Sequence, residues 1–139
     1  MKVLYQTQAV ATGGRDGHAE TKDGSFSVDL AVPKEMGGGG GGNNPEQLFA
    51  AGYAACFLGA LRYVAGQAKK KIPDDATVTS TVGIGPRDDG TGFGLQVGLE
   101  VSLPGIDRAT AEDLVAKANV VCPYSHATRG NIDVGLSVA

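Results

Sequence analysis

The chain has no positive charge to spare: 12 Lys and Arg stand against 15 Asp and Glu, a formal net charge of −3. No basic footprint is left for a nucleic-acid backbone. Histidine and cysteine are scarce, two of each. Cys122 and His126 are four apart and could face one ion, but two Cys and two His make a thin tetrahedral set, so no metal is expected. The glycine run Gly37–Gly42 lacks the Lys-Ser/Thr pair that a phosphate-binding loop places at its helix start. No His accompanies a Ser in the pattern of a serine hydrolase. The longest uncharged apolar run, Leu48 to Leu61, is shorter than the roughly 20 residues that span a bilayer and is broken by Gly52 and Gly59. Lys2 leads straight into an alternating segment, not into the basic-then-apolar order of a signal peptide. Two cysteines without an export signal therefore point to reactive thiols in a reducing cytoplasm rather than a structural bridge. A length of 139 residues fits one domain, residues 1–139.

What is present is periodicity. Met1 to Thr12 alternates as a strand and ends at Gly13-Gly14. A short strand around His18 to Thr21 meets Asp23-Gly24, a hairpin turn signal, and Phe26, Val28, Leu30 and Val32 alternate through a third strand that Pro33 closes. Gly37–Gly42 reads as a mobile loop. A long helix follows, roughly Pro45 to Lys70: Asn44 is its N-cap, Pro45 its first residue, and Gln47 sits where a capping box needs it. Lys69, Lys70 and Lys71 place cations at its C-terminus. Val78 to Ile84 and Phe93 to Leu103 alternate as strands around an Asp89-Gly90 turn. Thr110 to Asn119 is helical, a short turn or helix runs through Ser125 to Thr128, and Ile132 to Val138 ends the chain as a strand. This segregated order predicts an α+β fold of antiparallel sheets around a long central helix. A helix apolar on nearly all sides hides only one side against its own sheet, so a homodimer is expected to cover the rest.

The central helix carries Cys56 into the core. Buried cysteines commonly act as small hydrophobes, and both thiols have that inert alternative. Against it, Cys122 directly precedes Pro123 at a helix start, where free N–H groups stabilise a thiolate. Cys56 would need a cation nearby to ionise at neutral pH. Arg62 is turned about 240° from it around the helix and faces water or a subunit boundary. Arg15 stands in the bendable loop Gly13-Gly14-Arg15-Asp16-Gly17.

Three segments then match a known pattern: GGRDG around Arg15, NNPEQLFAAGYAACF from Asn43, and VCPYSHATRGNIDVGLSV from Val121. Their order and spacing resemble the organic hydroperoxide resistance proteins of the OsmC-like family, end to end. The resemblance implies a two-cysteine thiol peroxidase. Cys56 would be the peroxidatic thiol, Cys122 the resolving one, Arg15 the thiolate's partner and Glu46 the group that orients Arg15. It further implies an intertwined homodimer and an external dihydrolipoyl group, carried by a lipoylated protein, as reductant, with no bound cofactor. Leu48, Phe49, Phe57 and Leu58 would offer an apolar surface to an alkyl or fatty-acid hydroperoxide. Glu46 and Cys56 are about 15 Å apart along a straight helix, so either the long Arg15 side chain bridges a bent approach or Glu46, with or without Arg15, reaches Cys56 from a partner subunit, the second being the favoured expectation. The alternatives are the osmotically inducible branch of the same family, and a non-catalytic redox sensor or binding protein.

Overall fold

Alternation in the first third of the chain yields three short strands, β1 (Ala9–Thr12), β2 (His18–Thr21) and β3 (Ser27–Asp29), in an antiparallel meander of order β1-β2-β3. The computed structural model describes residues 1–139, in two compact units, residues 1–48 and 49–139. In the first unit the Asp23-Gly24 signal holds: the Gly24 N–H donates to the Thr21 carbonyl. The Asp23 carboxylate accepts from the Thr21 hydroxyl and from the N–H and hydroxyl of Ser25. Those bonds, the Thr21 hydroxyl first, lower its pKa to about 2.

Two expectations for this unit are corrected. The first strand does not begin at Met1. β2 has only four residues to offer, pairing Thr12 through Ala9, and the ladder ends where Lys22 N–H meets the Gln8 carbonyl. Residues 1–8 find no strand here, and Met1, Val3, Leu4 and Tyr5 remain exposed. The glycine run is tethered rather than free. Val32 O accepts from Gly40 N–H, Asn43 N–H donates to Asp29 O, and Asn43 O accepts from Ala31 N–H. A Cβ on Gly38 would lie 2.1 Å from Val32 O, so the run packs against its neighbour as only glycine can.

Helix α1 (Pro45–Gln67) starts on the expected box. Asn44 Oδ1 accepts from Gln47 N–H at 2.9 Å and Gln47 Oε1 accepts from Asn44 N–H at 3.1 Å. It stops before the lysines. Lys70 N–H bonds back to Ala65 O, and Lys69 takes the left-handed conformation (φ 54°) that usually falls to glycine at this position. One stripe of α1, Tyr53, Phe57, Ala60, Leu61, Val64 and Ala65, enters the core of the second unit. The opposite face, with Ala51, Ala55, Gly59, Arg62 and Tyr63, is exposed. At 23 residues α1 is long and apolar enough to cross a membrane by length and composition, so the length argument does not hold. Its buried stripe is that of a core helix.

The stripe packs among residues of the second sheet. β4 (Thr77–Pro86) and β5 (Phe93–Ser102) form a ten-residue antiparallel hairpin. Val97, Leu99, Val101 and Leu103 point inward on the period of two. α2 (Arg108–Val121), capped by the Asp107 side chain accepting from Thr110 N–H, buries Ala111, Leu114, Val115 and Ala118. α3 (Pro123–Thr128) follows at once, and β6 (Val134–Val138) returns beside β5. This last pairing is parallel, correcting the expectation of purely antiparallel sheets. Parallel neighbours need a crossover connection, which α2 and α3 supply here, whereas a tight turn joins antiparallel strands.

Candidate active site

In the first unit the loop between β1 and β2 is a short 3-10 turn, Gly14–Asp16, that presents Arg15. It closes tightly: a Cβ on Gly17 would stand 1.8 Å from the Thr12 carbonyl oxygen. Asp16 anchors it by accepting from Val32 N–H at 3.0 Å. Arg15 then meets Glu46, on the first turn of α1, with two parallel bonds, Nη1 to Oε2 at 2.8 Å and Nη2 to Oε1 at 2.7 Å. This fork-on-fork geometry fixes the guanidinium plane as well as its position. The Arg15 bond holds the Glu46 carboxyl below its ordinary value of 4.5, against the opposing effect of burial. The same bond pushes the Arg15 pKa up, so its charge is permanent. Arg15 and Glu46 thus pair within one chain.

In the second unit Cys56 of α1 and Cys122, the residue between α2 and α3, are both free thiols. Cys122 Sγ donates to Cys56 Sγ at 3.5 Å. Cys122 is fully buried and Cys56 partly so. Burial pushes the Cys56 thiol above its ordinary value of 9.0, the Tyr124 backbone N–H opposes that, and the neighbouring Cys122 adds to the rise. The free N–H that Pro123 leaves at the start of α3 therefore serves Cys56, not Cys122 as the sequence suggested. His126, on the same helix, is exposed.

The second unit also holds a cavity of ≈560 Å³, walled by Phe49, Phe93, Leu95, Tyr124, Ala127 and Ile132, with Arg87 and Asn131 as polar groups and neither cysteine in its lining. Tyr124 connects the two features, its backbone N–H on Cys56 and its ring in the wall. Phe49, Tyr53 and Tyr124 form an aromatic cluster with centroids 5.7–6.2 Å apart. Of the apolar residues expected to meet substrate, Phe49 is a wall, and Leu48 and Leu58 are half-buried. Phe57 is corrected: it is completely buried in the core and has no surface to offer. At helical spacing it lies one position from Cys56, turned about 100° away and onto the buried stripe. Tyr124, Phe93 and Ile132 were missed. The one signal for Tyr124 was Pro123, whose ring makes the next N–H the first available donor of the helix.

The OsmC-like protein family matches residues 37–137. The chain is 55% identical over 139 residues to an organic hydroperoxide resistance protein of Xanthomonas axonopodis pv. citri (strain 306), covering 99% of this chain and 96% of that one. Among solved structures it is similar to an organic hydroperoxide resistance protein from Legionella pneumophila, with TM-score 0.94, 54% identity and 99% of each chain covered. It is also similar to one from Elizabethkingia anophelis, with TM-score 0.93, 50% identity, and 100% of this chain and 99% of that one covered.

Proposed function

Because the chain belongs to the OsmC-like protein family, alongside its organic hydroperoxide resistance proteins, we propose that it is a thiol-dependent peroxidase that reduces organic hydroperoxides to alcohols. The observation that carries this is the contact of two free thiols at 3.5 Å, one partly open and one buried. The Cys56 thiolate attacks the outer peroxide oxygen, the O–O bond breaks, and the alkoxide takes up a proton and leaves as an alcohol. Cys56 is left as a sulfenic acid. The Cys122 thiolate then forms the S–S bond and expels hydroxide, which becomes water. A dihydrolipoyl group on a lipoylated protein reduces the disulfide, and is itself oxidised to the cyclic disulfide.

Burial alone would keep Cys56 protonated near neutral pH, so the first step needs a cation. Arg15, permanently charged and oriented by Glu46, is the residue we assign to it. The apolar walls of the cavity favour an alkyl or fatty-acid hydroperoxide, while hydrogen peroxide gains nothing from them. The working form is a cytoplasmic homodimer of this one domain. Supporting the dimer are the exposed apolar residues Met1, Val3, Leu4 and Tyr5, and the exposed face of α1.

The test is steady-state consumption of cumene hydroperoxide with dihydrolipoamide, set against hydrogen peroxide and against thioredoxin. Sustained turnover with the first pair, abolished in Cys56→Ser, is the expected result. Oxidation that stops after one equivalent would replace the peroxidase with a redox sensor.

A further inference from the structure

Helix α3 has Cys122 at its N-cap and Tyr124 facing Cys56, so its position sets how the two sulfurs meet. The groups that fix that position are hydroxyls. Tyr53 lies on α1 three residues before Cys56 and is fully buried. Its hydroxyl is 3.0 Å from Ser125 Oγ and 3.2 Å from Thr128 Oγ1, both buried and both on α3. Thr128 Oγ1 also donates to the Ser125 carbonyl at 3.2 Å, which uses its only proton. Thr128 Oγ1 therefore accepts from Tyr53 O–H, and Ser125 Oγ–H donates to the Tyr53 oxygen. The protons run one way, from Ser125 to Tyr53 to Thr128 and back to the Ser125 backbone. Each hydroxyl has a partner: removing that of Tyr53 leaves the Ser125 donor without its acceptor, removing that of Thr128 leaves the Tyr53 donor without its acceptor, and removing that of Ser125 takes one of the two bonds from Tyr53. Tyr124 of α3 also packs on Phe49 and Tyr53, a contact that removing a hydroxyl leaves in place, and with Ala127 and Thr128 it borders the ≈560 Å³ cavity.

We propose that Tyr53, Ser125 and Thr128 are positioning residues for the second chemical step: they hold α3 so that Cys122 stays against Cys56 until the disulfide closes. This rests on the peroxidase reading, with an organic hydroperoxide as oxidant. In that step the Cys122 thiolate bonds to the Cys56 sulfur, the S–O bond of the sulfenic acid breaks, and the departing hydroxide is protonated to water. The sulfurs must approach from 3.5 Å to about 2.05 Å, a closure short enough for side-chain rotation if α3 stays in place. With a hydroxyl missing, one tie between α1 and α3 is lost and α3 is free to shift toward the cavity, carrying Cys122 away.

Single-turnover stopped flow on the full chain, with cumene hydroperoxide and quenched mass spectrometry, separates the two steps. In Tyr53→Phe and Ser125→Ala, sulfenic acid forms within about twofold of the unmodified rate, whereas closure slows about tenfold, the scale of one lost buried hydrogen bond. The dithiol–disulfide equilibrium against dihydrolipoamide moves toward the dithiol by a similar factor, and excess hydroperoxide drives Cys56 on to sulfinic acid. Thr128→Ser, which keeps the hydroxyl, closes normally, and Thr128→Val does not. Val97→Ala loosens the core without touching these hydroxyls and closes normally. Unchanged closure and equilibrium in Tyr53→Phe and Ser125→Ala, or equal slowing in Val97→Ala, would overturn the proposal. A chain that forms no sulfenic acid would overturn the peroxidase reading instead. The equilibrium with dihydrolipoamide needs no peroxide and still decides the positioning role.

Discussion

Cys56 and Arg15 pose opposite problems of charge. The thiol sits where burial raises its pKa, and the guanidinium sits where a carboxylate already neutralises it. If Arg15 supplies the missing positive charge, Arg15→Met leaves burial unopposed. The rate of Cys56 oxidation by hydroperoxide should then rise with pH only on the alkaline side of 9, whereas the unmodified protein's rise falls at lower pH. A stopped-flow pH series checks this, and coincident profiles would remove Arg15 from the first step. Cys122→Ser should still consume one equivalent of hydroperoxide and then stop, as thiol titration would show. Glu46 holds its proton less tightly folded than unfolded. Its contribution to stability is therefore complete above its ordinary pKa and fades as pH falls through the lower folded value. Arg15 is 36% exposed, so solvent limits this contribution to roughly 0.5–1 kcal/mol. The melting temperatures of Glu46→Gln and the unmodified protein should differ by a few degrees at pH 7 and draw together as pH falls below 4.5 toward the lowered folded value.

At the scale of the element, the loop that carries Arg15 has no tolerance for a side chain at Gly17. Gly17→Ala should open it, release the Asp16 bond to Val32, and, if Arg15 serves the proposed reaction, slow hydroperoxide consumption by about tenfold while the thiols still titrate normally; rates measured beside thiol counts would tell the two apart. Elements were legible in the sequence where one local signal dominates. The capping box of α1, the Asp23-Gly24 turn and the alternation of β5 all formed as expected, because each depends on residues within a few positions. Legibility failed where the partner is distant. Strand-like alternation in Met1 to Gln8 has no strand in this chain to pair with, and Lys69 to Lys71 looked helical until the left-handed turn at Lys69 ended α1. The two cysteines, and separately Arg15 and Glu46, could be picked out from their motifs. The hydroxyl circuit could not, since Tyr53 and Ser125 are 72 positions apart and each is unremarkable alone.

At the scale of the whole molecule, α1 shows one stripe to its core and an opposite face of small residues to solvent. Ala51, Ala55 and Gly59 recur at helical spacing and permit close approach by another backbone. If that face meets a second copy of the chain, a charge there should keep the copies apart: sedimentation of Ala55→Glu should give a monomer where the unmodified chain gives a dimer. A unmodified chain that is active as a dilute monomer would sink the dimer outright.

The parallel placement of β6 bears on the order in which the chain folds. β4 and β5 are joined by a short turn and can zip together at once, but β6 finds β5 only after α2 and α3 have formed and crossed back. Cys122 lies inside that crossover. The thiol pair is therefore among the last features to assemble, and a newly made chain carries its two cysteines apart, without their common wall. Pulse-labelled hydrogen exchange during refolding should show the amides of Val134–Val138 gaining protection after those of the β4–β5 hairpin. Until then an oxidant meets two ordinary thiols, free to cross-link with other chains.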